Sequence, residues 1–258
     1  MRSQYRVLFA FIILLVAISC LCTSTDVTPS TPPTNPPVIQ PTQQQPPTQE
    51  FQPPSAEAPL PQNQQFFTEE FDSSLTSAWS ILTVTGSDKA NPDMVTVEPN
   101  NGKLVWDFES EYVYYYVFYE GFSYTDVTVD VSADNRGVNN NSISLICRYD
   151  PEVGWYEFNI ANNGLYDILY AEVTSDGSIG YNSITNGGSN NIKQGKNVNE
   201  YSITCKGDKL SLTINGKSIN TVTEKKYGLR EGGVGVSVSA FDLLPVKVEM
   251  ERFKISEP

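Results

Sequence analysis

Arg148, Trp155, Glu157, Tyr166 and Tyr170 lie close together in the middle of this chain, within runs that alternate apolar and polar residues. A period of two sends successive side chains to opposite faces of a strand. In the run Ile143 to Tyr149, one face carries Ile143, Leu145 and Cys147, and the other carries Ser144, Ile146 and Arg148. In the next run Tyr156, Phe158 and Ile160 read as core, so Trp155, Glu157 and Asn159 face the other way. In the third, Tyr166, Ile168 and Tyr170 share a face. An arginine, a tryptophan, a glutamate and two tyrosines near one groove would suit a sugar. Aromatic rings cover the apolar faces of a pyranose, and charged groups anchor its hydroxyls. The same residues admit a plainer arrangement, with Trp155 and the tyrosines as amphipathic surface cover and Arg148 and Glu157 as a cross-strand ion pair. A second aromatic run, Glu111 to Glu120, puts Tyr112, Tyr114, Tyr116 and Phe118 on one parity and Tyr115 and Tyr119 on the other. It reads either as an aromatic strand with core on one side or as a row of tyrosines on a binding face.

What is missing narrows the chemistry. The chain has no histidine. That removes the Ser-His-Asp and Cys-His mechanisms, imidazole metal sites and the usual general base. No Gly-x-Gly-x-x-Gly, Walker loop or Cys-x-x-Cys occurs, so nucleotide and zinc sites have no support. The 30 Asp and Glu residues outnumber the 17 Lys and Arg, giving a net charge of −13. An acidic surface argues against nucleic acid and is neutral about sugars. No catalytic set emerges, which favours a binding protein over an enzyme. Asp130, Asp134, Asn135 and Asn139 form a polar region that could supply oxygen ligands to calcium, although no EF-hand pattern is present.

The elements that would carry these residues begin with an address. Arg2 and Arg6 precede an apolar run from Val7 to Ile18 and then Ser19-Cys20. This is the layout of a signal peptide over residues 1–19, and the run is shorter than the ~20 residues that span a bilayer. Ala17-Ile18-Ser19-Cys20 resembles the lipobox of bacterial lipoproteins. That resemblance implies a diacylglycerol on Cys20, a membrane anchor and an extracytoplasmic location. Residues 20–65 form a Pro/Thr/Gln-rich linker, with twelve of the 17 prolines between Pro29 and Pro61. Few apolar side chains are present to offset ordering entropy, so a semi-rigid disordered spacer is expected, reaching up to ~130 Å when extended.

Residues 66–258 read as one all-β domain. Alternation is clear in Asp126 to Val131, Lys209 to Ile214, Gly233 to Val238 and Val246 to Met250. The turn signals are Asn163-Gly164, Asp176-Gly177, Asn186-Gly187, Gly207-Asp208 and Asn215-Gly216. Many short strands with regular turns predict a two-sheet antiparallel jelly-roll sandwich. Cys147 and Cys205 each sit inside a strand-like run, and export favours a disulfide between them, with separate buried thiols as the alternative.

Further segments carry a resemblance. Phe67-Thr68-Glu69-Glu70-Phe71-Asp72 with Trp79, Leu104-Val105-Trp106, Gly154-Trp155-Tyr156-Glu157-Phe158, Leu210 to Lys217 and Val248 to Phe253 resemble strands of concanavalin A-like sandwich domains. The likeness is nearest to the laminin-G-like and 3-keto-disaccharide-hydrolase-like members. It implies that one sheet is curved and that its open face holds the ligand. A glycan or cell-envelope component is then the expected partner, bound by Arg148, Trp155, Glu157, Tyr166 and Tyr170. Sandwich-fold glucanases carry a Glu-x-Asp-x-x-Glu strand, to which Glu249-Met250-Glu251 is the nearest approach, and it lacks the third carboxylate. Glycoside cleavage and a structural or adhesive envelope role remain the alternatives.

Overall fold

A computed structural model describes residues 64–258. The expected signal peptide, Cys20 and nearly all of the Pro-rich tract lie outside the described residues. Fifteen strands follow in chain order: β1 (Phe67–Glu69), β2 (Trp79–Thr85), β3 (Val95–Pro99), β4 (Leu104–Phe108), β5 (Val113–Tyr119), β6 (Val127–Asn135), β7 (Asn141–Asp150), β8 (Gly154–Ala161), β9 (Leu165–Val173), β10 (Ile179–Gly188), β11 (Val198–Lys206), β12 (Lys209–Ile214), β13 (Lys217–Thr223), β14 (Gly233–Ala240) and β15 (Val246–Ser256). A single 3-10 turn, Pro92–Met94, is the only helical element among the described residues.

The strands form two antiparallel sheets. The first runs β13-β12-β11-β6-β15-β4-β3, with β1 also paired to β15. The second runs β10-β9-β8-β7-β14-β5-β2. The alternation explains how they stack. Leu104, Trp106 and Phe108 on β4 and Val127, Val129 and Val131 on β6 are buried against Ile143, Leu145, Tyr156, Phe158, Val234, Val236 and Val238 of the opposite sheet. Strands such as β4, β11 and β12 bury alternate residues and turn the others outward, whereas β7 and β14 at the centre of the second sheet are buried on both faces. Cys147 on β7 and Cys205 on β11 form the expected disulfide, which ties one sheet to the other through the core.

Four of the five turn signals fall in hairpins: Asn163-Gly164 joins β8 to β9, Asp176-Gly177 joins β9 to β10, Gly207-Asp208 joins β11 to β12, and Asn215-Gly216 joins β12 to β13. The fifth does not turn. Asn186-Gly187 lies within β10, paired with Asp167 and Tyr166. Glycine is needed there for space, because a Cβ on Gly187 would sit 2.7 Å from the Tyr166 hydroxyl. The polar region that could offer oxygen ligands to calcium divides between a strand and a loop. Asp130, Asp134 and Asn135 belong to strand β6, and Asp134 accepts an ion pair from Arg136 at 3.0 Å. Asn139 lies in the following loop and accepts a hydrogen bond from Gly195 N.

Candidate functional site

The outer face of the second sheet concentrates the polar chemistry. Register places Tyr116 of β5 opposite Ser237 of β14, Ser237 opposite Ser144 of β7, and Ser144 opposite Asn159 of β8. Asn159 then faces Asp167 of β9, and Asp167 faces Asn186 of β10. Directly opposed residues share a face, so these six side chains make one polar row across six strands, about 24 Å long at the usual strand spacing.

The hydrogen bonds run along this row. Asn186 Nδ2 donates to Ser183 Oγ at 3.5 Å, and Ser183 Oγ donates to Asp167 Oδ1 at 2.7 Å. Asn159 Nδ2 donates to Ser142 Oγ and Ser144 Oγ, both at 2.9 Å. Ser144 Oγ donates to Glu157 Oε1 at 2.6 Å, while Trp155 Nε1 and Tyr116 Oη donate to Glu157 Oε2 at 3.0 and 3.2 Å. Tyr116 Oη also lies 2.8 Å from Tyr181 Oη.

One end of the row is open and the other is covered. A pocket of about 360 Å³ at the open end is lined by Asn159, Leu165, Tyr166, Asp167, Asn186 and Gly187. At the covered end Tyr116, Phe118, Ile146 and Trp155 form a buried aromatic layer outside the sheet, with Tyr114, Tyr149 and Leu82 packed on it. Gly235 makes room for this layer: a Cβ there would lie 2.8 Å from the Phe118 ring. Tyr181 leans over it, 41% exposed as a residue, with its hydroxyl turned inward to Tyr116. Beneath, Ser237 Oγ is buried with no hydrogen-bond partner among the described residues.

Glu157 is buried and pairs with no cation among the described residues, and burial pushes its carboxyl up while the bonds from Ser144, Trp155 and Tyr116 pull it down. Burial also raises Asp167. A raised carboxyl pKa makes the charged form less favourable in the fold than in the unfolded chain. The contribution of Glu157 to stability is therefore fully present below the ordinary value of 4.5 and is lost as pH rises through the raised one. Glu157→Gln cannot ionise. The unfolding free energy of the native protein minus that of the variant should decline with pH across this window and then level off. Urea titrations of both proteins at several pH values measure it, and a flat difference would show a carboxyl with no burial penalty.

The five residues expected along one groove do not share one. Trp155 and Glu157 do lie together on the outer face, joined by the indole hydrogen bond. Tyr166 and Tyr170 lie on the inner face with Ile160 and Tyr156, which are their register partners. The three-residue loop Asn162-Asn163-Gly164 sets this register, with Ile160 and Tyr166 each two residues from its ends. Arg148 departs for another reason. A bulge between Cys147 and Asp150 breaks the alternation, and Arg148 takes a left-handed backbone (φ 56°). Its buried guanidinium donates to the carbonyls of Leu229, Thr125 and Gly207 at 2.9, 3.1 and 2.8 Å, and forms no ion pair with Glu157. Of the second aromatic run, Tyr114, Tyr116 and Phe118 join the outer layer while Tyr115 and Tyr119 pack toward the core. Ser144, Asn159, Asp167, Asn186 and Tyr181 complete the outer face. Glu249 and Glu251 lie on the first sheet, where Lys103 pairs with both at 3.0 and 3.4 Å.

Two antiparallel sheets in this order, with a polar row crossing one outer face, define a concanavalin A-like jelly-roll sandwich. The model of the 3-keto-alpha-glucoside-1,2-lyase-like domain matches residues 67–240, and the chain belongs to that family. Among solved structures it is similar to a glycoside hydrolase family 16 endo-glucanase from Bacteroides ovatus, at 12% identity over 74% of this chain and 99% of that one, with a TM-score of 0.53. It is also similar to the Bacillus licheniformis beta-glucanase, at 11% identity over 75% and 98% of the two chains, with a TM-score of 0.52. The carbohydrate binding module CBM66 from Bacillus subtilis is similar at 12% identity over 70% and 96%, with a TM-score of 0.50. At these identities the likeness shows the fold alone. No curated protein matches the chain.

Proposed function

We propose that this chain is a non-catalytic saccharide-binding domain displayed outside the cytoplasm, with residues 20–65 as its stalk and a diacylglycerol on Cys20 as its anchor. The polar row of the second sheet carries this reading. Three hydroxyls and then two carboxamides flanking a carboxylate follow one another along a line whose open end is a pocket and whose other end is aromatic. Such a surface meets both the hydroxyls and the apolar faces of a sugar. The family description names a glucoside, and two of the similar structures are described as a glucanase and a carbohydrate binding module. The disulfide fits an oxidising compartment.

Neutral and amino oligosaccharides on a glycan array, followed by calorimetry, test the site. Asn159→Ala and Asp167→Ala should each weaken binding about tenfold or more, at the usual 1.4 kcal/mol per decade. Melting temperatures should stay within a few degrees, since both side chains are half-buried at the surface. Silence across the array would refute the reading. The family description and the buried acid Glu157 favour one rival, cleavage of the sugar. Release of reducing ends that is lost in Glu157→Gln would establish it in place of simple binding. The anchor is checked separately by radiolabelled palmitate, whose incorporation should disappear in Cys20→Ala.

A further inference from the structure

The geometry points to a ligand with a protonated amine, so that the saccharide taken by the open pocket is an amino sugar with a free ammonium group. This rests on the saccharide reading above and narrows it. The first observation is the balance of donors and acceptors. Asp167 Oδ1 accepts from Ser183, while Oδ2 accepts no hydrogen bond among the described residues. Both N–H groups of Asn159 are committed to Ser142 and Ser144, which leaves its carbonyl for the pocket. Asn186 likewise turns an N–H to Ser183. The pocket therefore presents a carboxylate oxygen and the Asn159 carboxamide oxygen, with the Asn186 carboxamide beside them. An ammonium carries three donors and no acceptor, so it can pair with both of these oxygens at once.

The second observation is the distribution of basic residues. None of the seven strands of the second sheet contains a lysine, and their single arginine, Arg148, is bound to loop carbonyls instead of the outer face. On the first sheet Lys206, Lys209, Lys217, Lys247, Arg252 and Lys254 all occupy strands. The outer face of the second sheet carries Glu157 and Asp167 with no protein cation to balance them. A ligand that brings its own positive charge supplies what the face lacks, whereas a uronic or sulfated sugar meets repulsion with no compensating contact. The raised position of Asp167 agrees with a half-buried carboxylate lacking a counter-charge.

The test compares short oligosaccharides of glucosamine with their fully N-acetylated counterparts and with oligogalacturonate, titrated into the whole protein by calorimetry. A charge-assisted hydrogen bond of about 1.5–3 kcal/mol corresponds to a preference of roughly ten- to a hundredfold for the free amine. Oligogalacturonate should not bind. Asp167→Asn should collapse the amine preference to about one. Glu98→Gln, on the far edge of the first sheet, should leave it intact. Equal binding of amine and N-acetyl forms overturns the inference while leaving the saccharide reading standing. An amine preference that survives Asp167→Asn also overturns it, because the attraction then belongs to the acidic surface at large. Failure of every saccharide to bind, neutral glucans included, removes the parent reading instead.

Discussion

Replacing Cys147 and Cys205 together by alanine is expected to lower the unfolding free energy by about 4 kcal/mol. The two cysteines are 58 residues apart, and closing a loop of that length restricts the unfolded chain by roughly this amount in the loop-entropy account. Position adds to length. The bridge links β7 of the second sheet to β11 of the first, at the contact where the two sheets stack, and both residues are fully buried. For a domain of this size the loss corresponds to a fall in melting temperature of roughly 8–16 °C. Calorimetry of the double variant measures it. A fall below about 1 kcal/mol would mean that the unfolded chain is already constrained, or that packing of the alanines compensates. Reductant should leave the native protein oxidised, because no path reaches the buried sulfurs until the sheets part.

Arg148→Met should cost about 3–5 kcal/mol, with a mechanism of a different kind. Methionine keeps most of the apolar stem but donates nothing. The carbonyls of Leu229, Thr125 and Gly207, which converge on one guanidinium from three separate segments, then lose their shared donor. Each buried carbonyl left unpaired costs about 1–3 kcal/mol, and losing one charged partner from a buried polar cluster costs about as much as the whole of this range. Arg148→Lys keeps the charge but not the planar fork, so it should recover only part of the loss. Urea denaturation gives the free energies. Hydrogen exchange at Gly207 and Leu229 should quicken in both variants, more so in the methionine one. A methionine variant within 1 kcal/mol of the native protein would mean that water replaces the guanidinium freely.

Arg148 also shows where reading the sequence stops. Alternation and Asn-Gly turns were enough to predict an all-β sandwich, and the export signal favoured the disulfide between Cys147 and Cys205 over two separate thiols. Trp155 and Glu157 were legible on one face because β8 is regular throughout. Arg148 was not, because one extra residue at the bulge reverses the parity of everything after Cys147, and nothing in Cys147-Arg148-Tyr149-Asp150 announces a bulge. Tyr166 and Tyr170 needed a hairpin register, set by the three-residue loop Asn162-Asn163-Gly164, more than a face assignment. The polar row itself could not be read locally. Its six members come from six strands brought side by side by connections of very different length, and each alone is an ordinary serine, asparagine, aspartate or tyrosine.

The three-residue strand β1 has a mechanical consequence. It pairs antiparallel with the last residues of β15, Phe67 with Ile255, Thr68 with Lys254 and Glu69 with Phe253. A pull entering through the backbone at Gln64 therefore loads this pairing before any other strand. Three pairs opening one after another yield at low force, and the bridge between the sheets lies beyond them, out of the line of tension. The domain would lengthen by a few residues under load while the remaining strands, the core and the polar row stay folded, so a grip made on the second sheet would outlast a tug on the amino terminus.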